Sequence, residues 1–235
     1  MTYKFHLTFD IDWAPDDSIE KCLTLLAKSA VKATFFTTHE TDMNKEIVVQ
    51  GHELGIHPNF LPGGSHGQST HEIIESCLEW APNARYMRTH ALVQSTPLLC
   101  DIFSTFTQLT TDVSLLMHGA KYVQRCEFKF EGVCFERILY NWEDDAEFYN
   151  QRFGAQDTHF FGPLTIFDFH PIHVHLNSNN VKNYTRLKDH FIQRALSELR
   201  SVDIEPYVNP NEGAGTFLQS ILCSNAESIQ LGAVK

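Results

Sequence analysis

Along the first part of the chain, apolar positions switch repeatedly between the period of a strand and that of a helix. The apolar, aromatic-rich run Tyr3–Ile11 predicts a strand, and the run Ala33–Thr37 predicts a second one. Between them, Asp16 and Asp17 offer an N-cap and early acidic charge for a helix. The apolar stripe of that helix recurs at spacings of three and four, through Ile19, Cys22, Leu23, Leu26 and Ala30. The opening segment is therefore predicted to be a strand–helix–strand unit.

The same alternation continues through the next segment. Two further strands are predicted over Glu53–His57 and Arg85–Thr89. A helix is expected to follow Ser69, which has capping-box spacing to Glu72, and another helix is predicted over Thr96–Phe106. Strands that alternate with helices across short connections indicate a mostly parallel sheet.

The rest of the chain brings in antiparallel structure. Alternating apolar residues over Lys121–Tyr140 predict hairpin strands with a turn near Glu131-Gly132. A late strand is predicted over Leu164–His170, and helices over Asn183–Arg200 and Thr216–Cys223. The whole pattern predicts an α/β fold whose sheet is either open or closed into a barrel. In both cases chemistry belongs at the carboxyl ends of the strands.

Length and composition narrow the class of protein. A chain of 235 residues, 43% hydrophobic and 20% charged, fits one globular domain spanning residues 1–235. The formal charge of -11 disfavours nucleic acid as a partner, since phosphate binding needs clustered Lys and Arg. No run of about 18 apolar residues predicts a transmembrane segment, and the first residues do not resemble a signal peptide, so we expect a cytoplasmic protein. Six scattered cysteines without C-x-x-C spacing argue against a disulfide framework.

Two acidic residues stand at the end of the first predicted strand. The segment Thr8-Phe9-Asp10-Ile11-Asp12 places Asp10 and Asp12 on the same side of an extended chain, roughly 6–7 Å apart. Two carboxylates that share a site repel each other, and a bound cation or a cationic side chain relieves that repulsion. A capped loop leading into the next helix is the structural alternative, although Asp10 lies too early to be a helix cap.

Histidines follow the third predicted strand. His57 precedes a proline, and His66 lies in the glycine-rich loop Pro62-Gly63-Gly64-Ser65-His66-Gly67. With Asp12, these histidines would supply two nitrogens and one oxygen to a metal and leave a position open for water. His66 would otherwise be a solvated loop residue, and His52 is expected to pack or cap locally. The chain lacks His-Glu-x-x-His, which removes the main support for a metalloprotease.

Two further strand ends carry polar residues. Arg88, in Arg88-Thr89-His90, is expected to pair with the two aspartates, and Asp112 is a further candidate partner for it. In the late strand Asp168 and His170 share one face, and His170 immediately precedes a proline. Of the three histidines in His170-Pro171-Ile172-His173-Val174-His175, at least one is expected to be structural.

Taken in order, these motifs carry a family resemblance. The set comprises Thr-Phe-Asp-x-Asp, Lys32-Ala33-Thr34-Phe35-Phe36, Gly-His-Glu-Leu-Gly-x-His, a strand-end Arg and a late Phe-His-Pro. It resembles the polysaccharide deacetylase (NodB-homology) family, the carbohydrate esterases of family 4 type. The strings His57-Pro58-Asn59-Phe60 and His170-Pro171-Ile172-His173 most resemble its WbmS-like group, which is tied to bacterial surface polysaccharide synthesis. The resemblance implies a distorted, incompletely closed (β/α) barrel with its groove at the carboxyl face.

The resemblance also implies a metal site, with Zn²⁺ or another divalent metal as cofactor. Asp12 corresponds to the metal-binding aspartate of such deacetylases, and His57 to the first histidine of their His-x-x-x-His pattern. The second histidine would fall at Leu61, which is no ligand, so the third ligand role is assigned to His66 across the loop.

The remaining roles come from the same resemblance. Asp10 corresponds to the catalytic base, Arg88 to the arginine that holds it, and Asp112 to the carboxylate of a neighbouring motif. His170 corresponds to the general acid that protonates the departing sugar amine. The implied reaction removes an acyl group from an N-acylated sugar, such as a sugar nucleotide or a lipid-linked glycan. Trp13, Phe60, Trp142 and Phe161 are candidates for stacking on sugar faces, although core packing is the default role of an aromatic residue.

Two other functions stay open at this point. A metal-free cyclic amidase on the same barrel is favoured by the departure at Leu61, and the absence of stoichiometric zinc would support it. A non-catalytic carbohydrate-binding protein on a degenerate scaffold is the other alternative. The presence of Asp10, Arg88 and His170, which are not metal ligands, argues against it.

Overall fold

A computed structural model describes residues 3–150, 153 and 162–235. Within these residues ten strands form one sheet. The strands are β1 (Lys4–Asp10), β2 (Ala33–Thr37), β3 (Glu53–Ile56), β4 (Tyr86–Met87), β5 (Thr111–Leu116), β6 (Arg125–Phe130), β7 (Val133–Tyr140), β8 (Trp142–Glu143), β9 (Leu164–Phe169) and β10 (Glu227–Ser228).

Helices lie between most of these strands and after β9. They are α1 (Asp16–Ser29), α2 (Met43–Val49), α3 (Thr70–Trp80), α4 (Thr96–Thr105), α5 (Asp144–Glu147), α6 (Pro171–Leu176), α7 (Lys182–His190), α8 (Ser201–Ile204) and α9 (Ala214–Leu222). None of the helices in the described part of the chain is long and apolar enough to cross a membrane. All six cysteines are free.

The sheet runs in the order β6-β7-β5-β4-β3-β2-β1-β9-β8, and β10 pairs with the first residues of β1. Every pairing is parallel except β6 with β7. Hydrogen bonds do not join the two outer strands, β6 and β8, so the sheet is not closed. The prediction of an α/β, incompletely closed (β/α) barrel is confirmed. The parallel order brings the carboxyl ends of β1, β3, β4 and β9 to one edge.

Alternation along the strands divides the core into two faces. On β2, Phe35 belongs to the larger cluster, which packs against α1, α6 and α9. Its neighbour Phe36 belongs to a separate cluster with Val113, Ile138 and Tyr140. Successive residues of a strand point to opposite faces, so both faces of β2 are buried. When both faces of a strand are buried, polar side chains can reach a functional site mainly from the end of the strand.

Most predicted elements are present, with shifted ends. The capping box at Ser69 is confirmed, because its side chain accepts from the Glu72 N–H while Glu72 accepts from the Ser69 N–H. The predicted helix over Asn183–Arg200 is too long: α7 ends at His190, and 3₁₀ and short helical turns follow. The N-cap residue of α1 is Pro15, without a side-chain cap, and Asp16 and Asp17 form the first turn instead. The elements α2, β5 and α6 were not predicted, since their short segments carry no clear period.

Candidate active site

The first site element is the turn that follows β1. Asp10 is the last residue of that strand, while Asp12 and Trp13 both have left-handed backbone, with φ of 46° and 53°. Non-glycine residues rarely adopt such angles, and the Trp13 N–H is held by Thr38 Oγ1 at 2.8 Å. Both aspartates face His57 Nε2, as predicted, but Asp12 lies beyond the end of β1. The expectation that strand alternation directs both is therefore wrong for Asp12. The turn, and not the pleat, directs Asp12.

Asp12 lies beside two histidines from other loops. Its Oδ1 is 3.2 Å from His57 Nε2 and 3.0 Å from His90 Nδ1. His57 directly follows β3, and His90 follows β4 after the two residues Arg88 and Thr89. One carboxylate oxygen and two imidazole nitrogens lie within 4.8 Å of one another. This set of one oxygen and two nitrogens, from side chains held by three separate strand ends, fits a divalent metal such as zinc.

Electrostatics within this cluster follow from its geometry. Burial on its own would raise the pKa of Asp12, but hydrogen bonds from His57 and His90 outweigh it and lower that pKa well below its usual value. Burial would lower the pKa of His57, yet the carboxylates of Asp10 and Asp12 raise it. His57 Nδ1 is buried without a hydrogen-bond partner in the described part of the chain. The cluster thus concentrates negative charge around histidine nitrogens.

His66 does not join this cluster. Its Nδ1 accepts a hydrogen bond from the Asn59 N–H at 3.1 Å, and its Nε2 donates to the Thr38 carbonyl at 2.8 Å. Both ring nitrogens are therefore hydrogen-bonded to backbone groups of neighbouring loops. Burial lowers the pKa of the ring. The predicted ligand trio is brought together only in part: Asp12 and His57 are adjacent, and the third nitrogen near them belongs to His90. Sequence spacing missed His90 because it follows the strand-end Arg88 and matches no ligand pattern.

Arg88 is fully buried and bound to carboxylates of two strands. Its Nη1 donates to Asp10 Oδ1 at 2.9 Å and also to Asp168 Oδ1. The guanidinium lies 4.6 Å from the Phe36 ring centroid and 4.0 Å from that of Tyr140. The expected pairing of Arg88 with Asp10 is present. The expected pairing with Asp12 is not, because Asp12 contacts His57 and His90 instead. Burial raises the pKa of Asp168 to about 7, although Arg88 acts to lower it.

Asp112 lies elsewhere. Its Oδ2 accepts from Arg137 Nε at 2.7 Å and its Oδ1 from Ser114 Oγ at 2.6 Å. Arg88 contacts the next residue of β5 through the Val113 carbonyl, at 3.2 Å. The predicted contact between Asp112 and Arg88 is therefore absent, because Arg137 of β7 lies beside the Asp112 side chain. Asp168 takes that place at Arg88, since β9 pairs with β1 in a register that sets Asp168 opposite Thr8.

His170 follows β9 and is held by an aspartate that the sequence did not single out. Asp144, the first residue of α5, accepts from His170 Nδ1 at 2.7 Å and from the His170 N–H at 2.9 Å. His170 Nε2 lies 3.7 Å from Asp12 Oδ2, on the side facing the histidine cluster. Burial would lower the pKa of His170, but the Asp144 carboxylate outweighs it and raises the pKa well above its usual value. Asp144 stands in the acidic run Glu143-Asp144-Asp145, which by itself suggests only a solvated turn.

The aromatic candidates have different surroundings. Trp13 packs against His66 and His90, with ring centroids 5.5 and 5.2 Å away. Trp142 is buried in the core against Phe167 and Phe169. Phe60 packs partly buried against the cluster formed by α3 and α4. Phe161 lies outside the described residues. Among the aromatic candidates that the structure describes, Trp13 is the one that packs against a histidine of the cluster, His90.

Two comparisons with known proteins, one with family models and one with solved structures, found matches to this chain. The family model described as "WbmS-like: Polysaccharide deacetylase" matches residues 7–188. A Bordetella bronchiseptica structure, assigned as a polysaccharide deacetylase involved in O-antigen biosynthesis, is 33% identical with a TM-score of 0.79. That match covers 94% of this chain and 90% of the other. No curated protein matches this chain.

A second solved structure extends the likeness in fold. The chain assigned as a polysaccharide deacetylase from Mycobacterium smegmatis is 16% identical, with a TM-score of 0.50, and the match covers 72% of this chain and 77% of that one. At this identity it supports the fold alone. The family model spans most of the sheet and all the residues of the cluster. This chain is a hydrolase of amide bonds and belongs to the WbmS-like polysaccharide deacetylase family.

Proposed function

We propose that this chain is a metal-dependent deacetylase that removes an acyl group from the nitrogen of an amino sugar during surface polysaccharide biosynthesis. The observation that carries the proposal is the cluster of Asp12, His57 and His90. On one side of it lies Asp10, which is bound by Arg88, and on the other lies His170, which is bound by Asp144. The Bordetella relative, assigned to O-antigen biosynthesis, supports the carbohydrate class of substrate. Residues 1–235 would then serve as one catalytic domain.

Asp12, His57 and His90 are the residues that would hold the metal. Three ligands of one oxygen and two nitrogens match the donor set of catalytic zinc sites, which keep a position open for water. When bound, the metal lowers the pKa of its water and polarises the amide carbonyl. His90 would take the role first assigned to His66. Leu61, which is exposed, then needs no ligand function, and the main reason to favour a metal-free amidase is removed.

Asp10 is the proposed general base. Its Oδ1 is fixed by Arg88, while its Oδ2 lies 3.6 Å from His57 Nε2, at the edge of the ligand cluster. A carboxylate in that position can take a proton from an attacking water without itself being a ligand. Arg88 is a positioning residue, since it is fully buried and contacts the carboxylates of Asp10 and Asp168.

His170 is the proposed general acid. Asp144 engages its Nδ1 and so leaves Nε2 facing the cluster, in position to protonate the departing amine. An amine leaves poorly as an anion, so this proton is required for cleavage of the amide. Asp144 would orient the ring and stabilise its charged form, as second-layer carboxylates do for catalytic histidines.

The ligand assignment is tested by zinc affinity, measured by competition with a chromogenic chelator. We expect stoichiometric zinc in protein purified without chelator and at least about a 100-fold loss of affinity in His90→Ala, since even outer-shell changes cost 10–100-fold. His66→Ala is the matched control, and we expect it to keep its zinc affinity. Acetate release from N-acetylated amino sugars should fall with zinc loss.

Three results would contradict the proposal. If His66→Ala loses zinc while His90→Ala keeps it, the ligand set is wrong. If the wild-type protein binds no zinc, cobalt or manganese, and still releases acetate, the metal-dependent mechanism is wrong. Saccharide binding without any acetate release would favour a carbohydrate-binding protein.

A further inference from the structure

The strand β6 forms one outer edge of the sheet. Among the described strands it pairs with β7 alone, and most of its side chains are exposed. An outer strand leaves a row of backbone N–H and C=O groups without a strand partner, and it can therefore accept a further strand. The hairpin geometry of β6 and β7 fixes which of these groups face outward.

The turn between the two strands sets the direction of the backbone groups. Phe130 pairs with Val133 across the two-residue turn Glu131-Gly132, in which both φ angles are positive. In a hairpin of this kind the closing pair is hydrogen-bonded, so the backbone groups of Phe130 face β7. Alternate residues of an antiparallel strand direct these groups to opposite sides. The backbone groups of Lys129 and Glu127 therefore face outward.

The start of β6 shows the same alternation. Arg125 lies two residues before Glu127, and its N–H donates to the Lys235 carbonyl at 3.1 Å instead of to β7. The outward N–H and C=O groups of Glu127 and Lys129 have no backbone partner in the described part of the chain. The free edge of β6 is thus the stretch Cys126–Phe130.

Opposite charges lie two residues apart on this free edge. Glu127 and Lys129 are on one face of β6, both exposed, with Oε1 and Nζ 2.9 Å apart. A second strand of the same sequence, antiparallel to β6 with its Phe128 opposite Phe128, would set Lys129 of the second copy opposite Glu127. By the same symmetry, Glu127 of the second copy would lie opposite Lys129. Opposite charges directly across a strand pair stabilise it, and like charges destabilise it. The charge pattern therefore complements itself in this register.

The backbone and the other face of β6 fit the same register. Glu127 and Lys129 of the second copy would lie opposite each other with outward backbone groups, so the two residues can exchange both N–H···O bonds. On the other face, Phe128 would meet its own counterpart, and Cys126 would meet Phe130 of the second copy. Phe130 is 46% exposed, and pairing would remove part of this apolar ring from water. Charge, hydrogen bonding and apolar contact thus agree on one register.

We propose that the free edge of β6 pairs antiparallel with β6 of a second copy of this chain, about a twofold axis at Phe128, and so forms a homodimer. A twofold interface uses the same patch on both subunits, which is the arrangement that Glu127 and Lys129 fit. The short paired stretch places this dimer among the small, weak interfaces. The dimer does not depend on the proposed reaction, because the residues of the candidate active site belong to other strands and loops.

Charge reversal at the free edge tests this pairing in the intact protein. Sedimentation equilibrium of the wild type should show a reversible equilibrium between monomer and dimer as the protein concentration rises. Glu127→Lys and Lys129→Glu each set like charges opposite each other, and each should raise the dissociation constant of the homodimer at least about tenfold. Lys45→Glu, at an exposed position on α2, is the matched control and should leave that constant unchanged.

Restoring the opposite charges should restore the dimer. An equal mixture of the Glu127→Lys and Lys129→Glu proteins should form a heterodimer about as tight as the wild-type dimer, because each chain supplies the charge that the other lacks. The double variant that combines the two reversals should dimerise like the wild type for the same reason. Both positions are exposed, so we expect the unfolding free energy to change little in these variants.

Three outcomes would overturn the proposal. Wild-type protein that stays monomeric at millimolar concentration has no such dimer. Dimers of equal affinity in the wild type and in both single reversals would show that the subunits associate through another surface. If the single reversals weaken the dimer but their mixture does not restore it, Glu127 and Lys129 do not face each other, and the antiparallel register about Phe128 is wrong.

Discussion

Buried histidines lie both within the sheet toward its amino-terminal edge and at its carboxyl edge, and their partners differ. His6, on β1, contacts the Ile229 carbonyl at 2.8 Å and Thr34 Oγ1 at 3.0 Å. His52, just before β3, accepts from the Ala33 N–H at 3.2 Å. At the carboxyl edge, His57 lies 3.2 Å from Asp12, and His170 lies 2.7 Å from Asp144. The first pair has uncharged partners and the second has carboxylates.

The difference shows in the acidity of the rings. Burial lowers the pKa of His6 and of His52 to about 4, so both are neutral at pH 7. Burial opposes charge at His170 as well, yet the Asp144 carboxylate raises its pKa well above the usual value. Burial is common to both edges, and therefore the nearby carboxylates, rather than burial, distinguish the histidines available for catalysis.

The largest effect is expected at Asp10. Asp10→Asn keeps the hydrogen-bonding shape of the side chain but removes the proposed base, so kcat for acetate release should fall by about 10²–10⁴. Zinc affinity should change little, since Asp10 is not in the proposed ligand set. A loss of zinc equal to that of His90→Ala would instead make Asp10 a ligand.

The second largest effect is expected at Arg88, the buried guanidinium of the site, and concerns the stability of the folded protein. Arg88→Met leaves Asp10 and Asp168 without their common guanidinium, and breaking a buried pair in this way costs about 3–5 kcal/mol of unfolding free energy. Urea denaturation measures it. The exposed pair of Arg200 with Asp17 is the control, and Arg200→Met should cost about 1 kcal/mol or less. Equal losses in both variants would show that the carboxylates of the site do not depend on Arg88.

The smallest effect is expected at His6, within the sheet, as a pH dependence of the unfolding free energy. Because the pKa of His6 is about 4 when folded and about 6.5 when unfolded, the unfolded chain binds the proton first as pH falls. Between pH 7 and pH 5 this term should remove on the order of 2 kcal/mol from the unfolding free energy. His6→Gln should lack that part of the loss, whereas His71→Gln, at an exposed position, should behave as wild type. Parallel pH profiles for His6→Gln and wild type would contradict the comparison.

Part of the site could be predicted because its residues directly follow strands. Asp10, His57, Arg88 and His170 each end or follow a strand that the hydrophobic pattern identifies, and parallel strands bring such positions to one edge. The choice of His66 over His90 could not be corrected from spacing, because it depends on the left-handed turn that aims Asp12. Asp144 and Asp168 were likewise not assigned their roles, since neither lies near its partner in sequence.

By itself, the sequence determined the α/β class, most strands and the family resemblance, and it predicted five of the polar residues at the carboxyl edge: Asp10, Asp12, His57, Arg88 and His170. These properties depend on local period and on motif order, both of which are readable along the chain. Only the tertiary structure decided which histidine meets Asp12 and which aspartates hold Arg88 and His170. Those contacts join residues up to 80 positions apart, and strand register and turn geometry set them.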